Sequence, residues 1–297
     1  MIQGPDFIII GAMKCATSTL HEHLAREPGF FMSDPKEPNF FSDDAQFARG
    51  AQWYRDLFAD TPRDALCGES STHYTKLPTY PQTVLRMQQL LGSVKLIYMV
   101  RHPIDRLVSH YIHEWTERRI SAPLDRAVDV HPELVAYSRY SMQLEPYLEA
   151  FGPQNILLVV FERFVADPRT ELARVCRFLG QEGPVRFDPH LGAQNVSSQR
   201  LRRNRVRDAL VWNPIITPLR RRFIPPGLRD RVKRLWQMKK RPVLGAQQSR
   251  RLEAIFDEDL GTLGSWLGID LSCARFKTTV LGNVTPLFGR APAQRVG

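Results

Sequence analysis

The sequence predicts an α/β fold in which a parallel sheet is flanked by helices within a single domain. Three short apolar runs, residues 7–10, 96–100 and 156–161, are each bounded by turn residues or by helical patterns. Unbroken apolar runs of this length are typical of strands that are buried on both faces of a parallel sheet. A chain of 297 residues, 43% hydrophobic and 24% charged, is long enough for one large domain of this class.

The first apolar run leads directly into a turn and a helix. Gly11 ends the strand, and the hydroxyl-bearing residues 17–19 are predicted to cap a helix that continues through Leu20 and Leu24 to about residue 26. The start of a helix offers free backbone N–H groups and the positive end of the helix dipole, and Lys14 adds a cation. We therefore expect this turn to bind an anionic group.

The spacing of this turn differs from that of nucleotide triphosphatases. Their loop reads G-x-x-x-x-G-K-S/T, with the lysine directly before the capping hydroxyl. Here Lys14 comes three residues after Gly11 and three before Thr17, and no second glycine precedes it. Taken alone, the segment is explained equally well by an ordinary strand–helix turn that happens to contain a lysine.

A second strand–turn–helix segment lies near residue 100. The strand ends at Arg101, and Pro103 favours the first turn of a helix. The predicted apolar stripe of that helix comprises Ile104, Leu107, Val108, Tyr111, Ile112 and Trp115. Its opposite, polar face is predicted to carry Asp105, Arg106, Ser109 and His113. Since ligands bind where parallel strands end, Arg101 and Ser109 are candidate binding residues.

The rest of the chain continues the alternation of helices and strands. Residues 139–179 predict a helix, a strand and a second helix that ends at Gly180, and residues 252–267 predict a final amphipathic helix. We assign residues 1–276 to the domain. Residues 277–297 show no periodic pattern and are expected to form a mobile tail.

Cysteine usage and hydropathy restrict the setting of the protein. The four cysteines lie far apart in the sequence, with no C-x-x-C pair and no spacing typical of a metal site. No apolar run approaches the length of a membrane-spanning helix, and no signal sequence is recognised. We expect a cytoplasmic protein with reduced cysteines and no required metal.

The positive charge of the chain is concentrated in one segment. The formal net charge is +10, and residues 200–241 contain fifteen lysines and arginines but only two acidic residues. Two interpretations stay open: a solvated cationic face or lid, or a surface that contacts an acidic partner such as an anionic membrane. The segment also suggests a different class of function, a nucleic-acid-binding or anionic-surface-binding protein, although its aromatic residues are not spaced as a stacking series.

The two strand–turn–helix segments together resemble those of sulfotransferases that use 3′-phosphoadenosine-5′-phosphosulfate (PAPS). Residues 11–19 resemble their 5′-phosphosulfate loop, G-x-x-K-C/S-G-T-S/T-S/T, and residues 101–111 match their 3′-phosphate motif, R-x-P-x-x-R-x-x-S-x-Y. The order and separation of the two motifs are also those of the family. The chain is therefore similar to bacterial and carbohydrate-type sulfotransferases over roughly residues 5–276.

This resemblance implies a P-loop-like parallel sheet and a role for each motif residue. PAPS would be the co-substrate and 3′,5′-adenosine bisphosphate (PAP) the product. The implied ligands of the 5′-phosphosulfate are Lys14, Cys15, Ala16, Thr17, Ser18 and Thr19, and those of the 3′-phosphate are Arg101 and Ser109. Lys14 is also implied to be catalytic, because its charge would neutralise the bridging oxygen during transfer. Ala16 departs from the family, which usually has glycine at this position.

A third family element supplies the implied catalytic base. Residues 36–41 match the element K-E-P/I-H-F-F except at Asn39, and Glu37 is the residue implied to accept the acceptor's proton. Without the resemblance, Lys36 and Glu37 would be interpreted as a solvated surface pair.

Residues 68–74 resemble a further element of the family, G-E-x-S/T-P-x-Y. Thr72 replaces its proline, and Ser70 replaces the lysine of glycosaminoglycan enzymes, which argues against a heparan-type acceptor. His73 is the alternative base, because cytosolic aryl sulfotransferases use a histidine.

The resemblance implies transfer of a sulfuryl group from PAPS to a hydroxyl or amine of a small-molecule, carbohydrate or lipid acceptor. The motifs do not distinguish among these acceptors, and no nucleic-acid partner is expected. A P-loop kinase is the alternative of the same class. It is disfavoured by the missing G-K-S/T and by the lack of an obvious magnesium-binding carboxylate after a strand.

Overall fold

Five parallel strands form one sheet in the structure, a computed structural model that describes residues 4–189, 191 and 241–282. The strands are β1 (Phe7–Gly11), β2 (Phe30–Met32), β3 (Leu66–Ser70), β4 (Lys95–Val100) and β5 (Ile156–Val160). Their order across the sheet is β2-β3-β1-β4-β5, and every neighbouring pair is parallel. The α/β fold predicted from the sequence is confirmed.

The central position of β1 follows from its composition. Its four apolar side chains, residues 7–10, are fully buried, as expected for a strand that pairs on both edges and is covered on both faces. Phe7 pairs with Gly68 of β3 and with Lys95 of β4. A Cβ atom at position 68 would collide with the Phe7 ring, so this register requires the glycine.

Helices connect the strands. The first seven are α1 (Thr17–Leu24), α2 (Asp44–Phe47), α3 (Gly50–Asp56), α4 (Thr83–Leu90), α5 (Pro103–Thr116), α6 (Leu124–Val130) and α7 (Glu133–Ala136). They are followed by α8 (Tyr140–Phe151), α9 (Phe161–Ala166), α10 (Pro168–Leu179), α11 (Ala246–Leu267) and α12 (Phe276–Leu281). Short 3₁₀ turns occur at Thr72–Thr75 and Pro153–Asn155.

Part of the face of α5 that was predicted to be polar is buried. Arg106 is fully buried, and its guanidinium donates from Nε to Ser138 Oγ (2.5 Å) and from Nη2 to the Leu134 carbonyl (2.8 Å). Ser109 is only 4% exposed. The segment around α7 covers this face, and periodicity alone could not show that a polar face is covered by a distant loop.

The domain extends further than the sequence predicted. The first residues of the expected tail form α12, whose Phe276 and Val280 are buried, and Arg163 of α9 donates to the Val280 carbonyl (3.4 Å). With two apolar anchors four residues apart, this helix is too short to produce a periodic signal. The remaining tail residues, 283–297, lie outside the described residues.

The described residues give only a partial view of the basic segment. Within them, no helix is long and apolar enough to cross a membrane. Of residues 200–241, Arg241 is described, and the others lie outside the described part of the chain.

Candidate active site

The candidate site lies where the strands end. Because all five strands are parallel, the loops after β1, β3, β4 and β5 meet at the same edge of the sheet, which is where open parallel sheets bind ligands. The loop after β1 contains Lys14, the one after β3 leads into the 3₁₀ turn at Thr72–Thr75, and the one after β4 begins at Arg101.

The loop between β1 and α1 has the geometry of an anion-binding turn. Lys14 and Ala16 both have left-handed backbones, with φ of 74° and 68°. A left-handed residue beside a helical one directs successive N–H groups toward the same side. Leu20 N–H donates to the Ala16 carbonyl (3.1 Å), so the N–H groups of residues 17–19 precede the first hydrogen bond of the helix.

One sequence prediction for this loop is corrected. The residue that caps α1 is Ala16, which makes no side-chain cap, and the hydroxyls of residues 17–19 lie within the first turn instead. Cys15 is fully buried, and its N–H donates to the Ala12 carbonyl (3.2 Å). Burial raises the pKa of its thiol to about 12. The Cys15 side chain therefore packs in the core, and the assignment of Cys15 as a cofactor-binding residue stays a prediction.

Lys36 connects the loop to the predicted base. Its ammonium donates to Ser18 Oγ (2.9 Å) and pairs with Glu37 Oε1 (3.2 Å). The carboxylate of Glu37 is therefore held beside the first turn of α1. Its side chain is 34% exposed, which leaves it accessible to an incoming molecule.

A buried hydrogen-bond network fixes the loop that carries Glu37. Glu69 of β3 is fully buried and accepts hydrogen bonds from Tyr54 Oη (2.9 Å), Tyr74 Oη (2.7 Å) and Ser71 Oγ (2.6 Å). Ser71 Oγ in turn accepts the N–H of Asn39 (3.0 Å). Burial raises the pKa of Glu69 to about 7. Within residues 68–74, Glu69 therefore supports the loop that carries Glu37 through buried hydrogen bonds.

Backbone contacts position Arg101. Tyr140 Oη accepts the Arg101 N–H (3.2 Å) and donates to the Arg101 carbonyl (2.6 Å). The guanidinium lies over the Phe161 ring, 4.3 Å from its centroid, and Nη1 approaches the Lys14 carbonyl at 3.5 Å. Its buried Nε has no partner in the described part of the chain. The side chain thus reaches the loop after β1 and retains donors for an anion.

His73, the alternative base, stacks on an aromatic ring. Its ring stacks on Tyr80 with centroids 4.9 Å apart, and burial lowers its pKa to about 4. Among the described residues, no hydrogen bond or ring contact links His73 to the loop after β1, whereas Glu37 is linked to that loop through Lys36. The geometry favours Glu37.

Sequence reasoning missed three residues of the site. Lys36 was considered only as the neighbour of Glu37, Tyr140 only as the start of a helix, and Lys76 not at all. A lysine directly before Leu77-Pro78 gives no motif signal, yet its side chain is buried near Glu37. Among the described residues, no cluster of three or more histidine, cysteine, aspartate or glutamate side chains could hold a metal ion.

The chain is similar in sequence to known sulfotransferases. A family model described as a sulfotransferase domain matches residues 4–264. Mouse heparan sulfate glucosamine 3-O-sulfotransferase 3B1 is 33% identical over 190 residues, 60% of this chain and 46% of that protein. The chain thus spans about half the length of the curated relatives it matches.

Solved structures share the fold. A sulfotransferase from Alicyclobacillus acidocaldarius has a TM-score of 0.64 at 22% identity, covering 91% of this chain and 98% of that one. Mouse sulfotransferase SULT7A1, solved in complex with PAP, has a TM-score of 0.50 at 18% identity, covering 89% and 87%. On the evidence of the family model, which matches most of its length, the chain belongs to the sulfotransferase domain family.

Proposed function

We propose that this protein transfers a sulfuryl group from PAPS to a hydroxyl or amine of an acceptor molecule. The observation that carries the proposal is the path from the anion-binding loop to a carboxylate, from Ser18 through Lys36 to Glu37. A loop whose only role was to hold phosphate would not need an accessible carboxylate that is joined to it through Lys36.

The residues present fit PAPS. The N–H groups of residues 17–19 and the Lys14 ammonium would hold the 5′-phosphosulfate. Arg101 has a buried Nε without a partner in the described residues, and the Ser109 hydroxyl is able to donate a hydrogen bond, so both would serve a 3′-phosphate. The 3′-phosphate is the group that distinguishes PAPS from ATP.

The proposed chemistry divides among three side chains. Bound PAPS would supply the sulfuryl group, whose bond to the 5′-phosphate breaks as its bond to the acceptor oxygen forms. Glu37 would take the proton of the acceptor hydroxyl. Lys14 would neutralise the negative charge on the bridging oxygen that stays with the 5′-phosphate. Lys36 would hold Glu37 and Ser18 in place.

The setting and the acceptor are also proposals. A carbohydrate acceptor is supported by the relative named as a heparan sulfate glucosamine 3-O-sulfotransferase. A cytoplasmic location is supported by four free, buried cysteines. Contact with an anionic membrane surface is supported by the composition of residues 200–241.

Calorimetric titration with PAP, 5′-AMP and ATP tests the cofactor assignment. We expect PAP to bind at least about tenfold more tightly than 5′-AMP, since one charged hydrogen bond contributes about 1.5–3 kcal/mol. Arg101→Ala should remove most of this difference. If the unmutated protein binds PAP and 5′-AMP equally well, the proposal is wrong.

A further inference from the structure

His21 is a buried histidine of α1 that belongs to none of the sequence motifs. It is only 7% exposed and lies about one turn after Ser18. Its Nδ1 forms a hydrogen bond of 2.8 Å with the hydroxyl of Ser70, which is buried at the end of β3. This contact joins the helix that follows the anion-binding loop to the strand beside β1.

Ser70 in turn holds the backbone of the proposed base. Its carbonyl accepts the N–H of Glu37 (3.1 Å). Glu37 has a left-handed backbone with φ of 57°, and such a conformation persists only where surrounding contacts fix it. A shift of Ser70 therefore moves Glu37 or lets its backbone relax.

Two paths thus connect α1 to Glu37. The exposed path runs from Ser18 Oγ through the Lys36 ammonium to the Glu37 carboxylate, and the two side chains of its ion pair are 28% and 34% exposed. Exposed ion pairs contribute little and adapt easily. The buried path runs from His21 through Ser70 to the Glu37 N–H. Breaking its first hydrogen bond would leave two buried polar groups without partners, so the buried path is the firmer one.

The His21 ring is neutral at physiological pH. Burial and the nearby Lys36 ammonium lower its pKa to about 4. Lys36 binds Ser18, which lies three positions before His21 on the same face of α1. A neutral ring bonds to the Ser70 hydroxyl without competing with Lys36 for the carboxylate of Glu37.

We propose that His21 is a positioning residue for sulfuryl transfer: by holding Ser70 it fixes the backbone of Glu37, and with it the distance between this carboxylate and the anion-binding loop. The proposal rests on the proposed function, because it takes Glu37 to be the base. Loss of His21 should lower turnover and leave cofactor affinity unchanged, because Lys14 and residues 17–19, the proposed cofactor ligands, are retained.

Hydrogen exchange of the Glu37 amide tests the positioning in the protein without ligands. NMR follows this amide, which donates to the Ser70 carbonyl. We expect His21→Leu or Ser70→Ala to speed its exchange about tenfold, because Ser70 is then no longer held by α1. His21→Asn should keep the exchange slow, since the asparagine amide reaches the position of the histidine Nδ1 and bonds to the Ser70 hydroxyl.

Steady-state transfer tests the consequence for turnover. Radiolabelled PAPS is varied while the acceptor, a host-cell extract, is kept constant. His21→Leu and Ser70→Ala should each lower the apparent kcat about tenfold without changing the KM for PAPS or the affinity for PAP, because they misplace the base alone. The double variant should fall no further than either single variant, since both substitutions remove the same contact. Ser70→Ala also keeps the test decisive if His21→Leu does not fold.

His23→Leu is the matched control. His23 lies on the same helix and is 2% exposed, and its ring stacks on Phe187 with centroids 4.8 Å apart. Chemical denaturation should show a loss in the free energy of unfolding similar to that of His21→Leu. Exchange of the Glu37 amide and the apparent kcat should remain those of the unmutated protein.

Three results would overturn the proposal: slow exchange of the Glu37 amide in both His21→Leu and Ser70→Ala, additive losses of kcat in the double variant, or equal effects of His21→Leu and His23→Leu on exchange and kcat. Failure of the proposed function is recognised separately. The unmutated protein would then not bind PAP, whereas the exchange experiment needs no cofactor.

Discussion

Three residues of the site, Lys14, Ala16 and Glu37, hold backbone conformations that their side chains disfavour. Their φ angles are 74°, 68° and 57°, all in the left-handed region. For a residue with a Cβ atom this region costs about 1–2 kcal/mol relative to the right-handed one. The Glu37 N–H donates to the Ser70 carbonyl (3.1 Å), which helps to hold the conformation. The strain lies at the anion-binding loop and the proposed base, as is common where geometry serves function.

Glu37→Gln separates the chemical role of this carboxylate from its structural role. The substitution keeps the side-chain length and the backbone preference but removes the proton acceptor. We expect transfer from radiolabelled PAPS to a host-cell extract to fall about 10²–10⁴-fold, while PAP binds with unchanged affinity. His73→Phe is the comparison, since it keeps a ring to stack on Tyr80, and it should retain activity. An active Glu37→Gln together with an inactive His73→Phe would assign the base to His73.

At the scale of elements, the start of α8 joins two distant parts of the chain to the site. Asp259 of α11 is buried and accepts hydrogen bonds from Ser141 N–H (3.0 Å), Ser141 Oγ (2.6 Å) and Met142 N–H (3.2 Å). It thus caps a helix more than a hundred residues away in the sequence. Tyr140, the neighbouring residue, holds both backbone polar groups of Arg101. Helix α11 therefore supports the loop that carries the proposed 3′-phosphate ligand.

Tyr140→Phe should weaken recognition of the 3′-phosphate specifically. The ring remains, but the Arg101 N–H and carbonyl lose their partner, so the guanidinium is held less firmly. We expect PAP affinity to fall about tenfold while 5′-AMP affinity is unchanged. One well-placed hydrogen bond contributes about 1 kcal/mol, and misplacing a hydrogen bond to a charged group costs more than that. Calorimetric titration with both nucleotides measures the difference.

Tyr147→Phe is the matched control for this experiment. Tyr147 lies on the same helix and donates from its buried hydroxyl to the Tyr74 carbonyl (2.6 Å). The Tyr147→Phe variant should show a loss in the free energy of unfolding similar to that of Tyr140→Phe. The ratio of its affinities for PAP and 5′-AMP should not change. If Tyr140→Phe behaves like Tyr147→Phe, Tyr140 has only a structural role.

Local patterns predicted much of this architecture. The apolar runs of β1, β4 and β5 and the periodic segments of α5, α8, α10 and α11 carry their own signals, and the structure confirms them. What the sequence could not show were polar contacts between distant residues. Tyr54 and Glu69 are 15 positions apart, and Ser141 and Asp259 are 118 apart, so no spacing rule connects them. Lys76 was missed for the same reason, because the burial of its side chain is a property of the folded chain.

At the scale of the whole molecule, the family match decides between the fold-level alternatives. A sulfotransferase domain over residues 4–264 excludes the P-loop kinase interpretation. The charge distribution raises a separate question, because fifteen basic residues in positions 200–241 exceed what one cofactor with two phosphates and a sulfate requires. Arg241, at the end of this segment, pairs with Asp105 at the start of α5 (2.8 Å), as does Lys277 (2.8 Å). The segment therefore ends beside the proposed 3′-phosphate motif.

Replacing five cations of the basic segment should weaken attachment to anionic membranes. The variant changes Arg231, Lys233, Arg234, Lys239 and Lys240 to glutamine. Because each cation near an anionic leaflet contributes about 1 kcal/mol, we expect the unmutated protein to sediment with phosphatidylserine-containing vesicles at low salt and to be released as salt rises. The variant should remain in the supernatant.

The control for the vesicle experiment removes the same charge elsewhere. It changes five exposed arginines of the described residues to glutamine, namely Arg63, Arg126, Arg169, Arg177 and Arg250. Since a local cluster acts at short range while net charge acts on the whole surface, this control should still bind vesicles if the basic segment is the contact surface. Equal loss in both variants would indicate that net charge alone drives binding. Absence of binding by the unmutated protein at low salt would leave the segment with a role at the cofactor or in solvent.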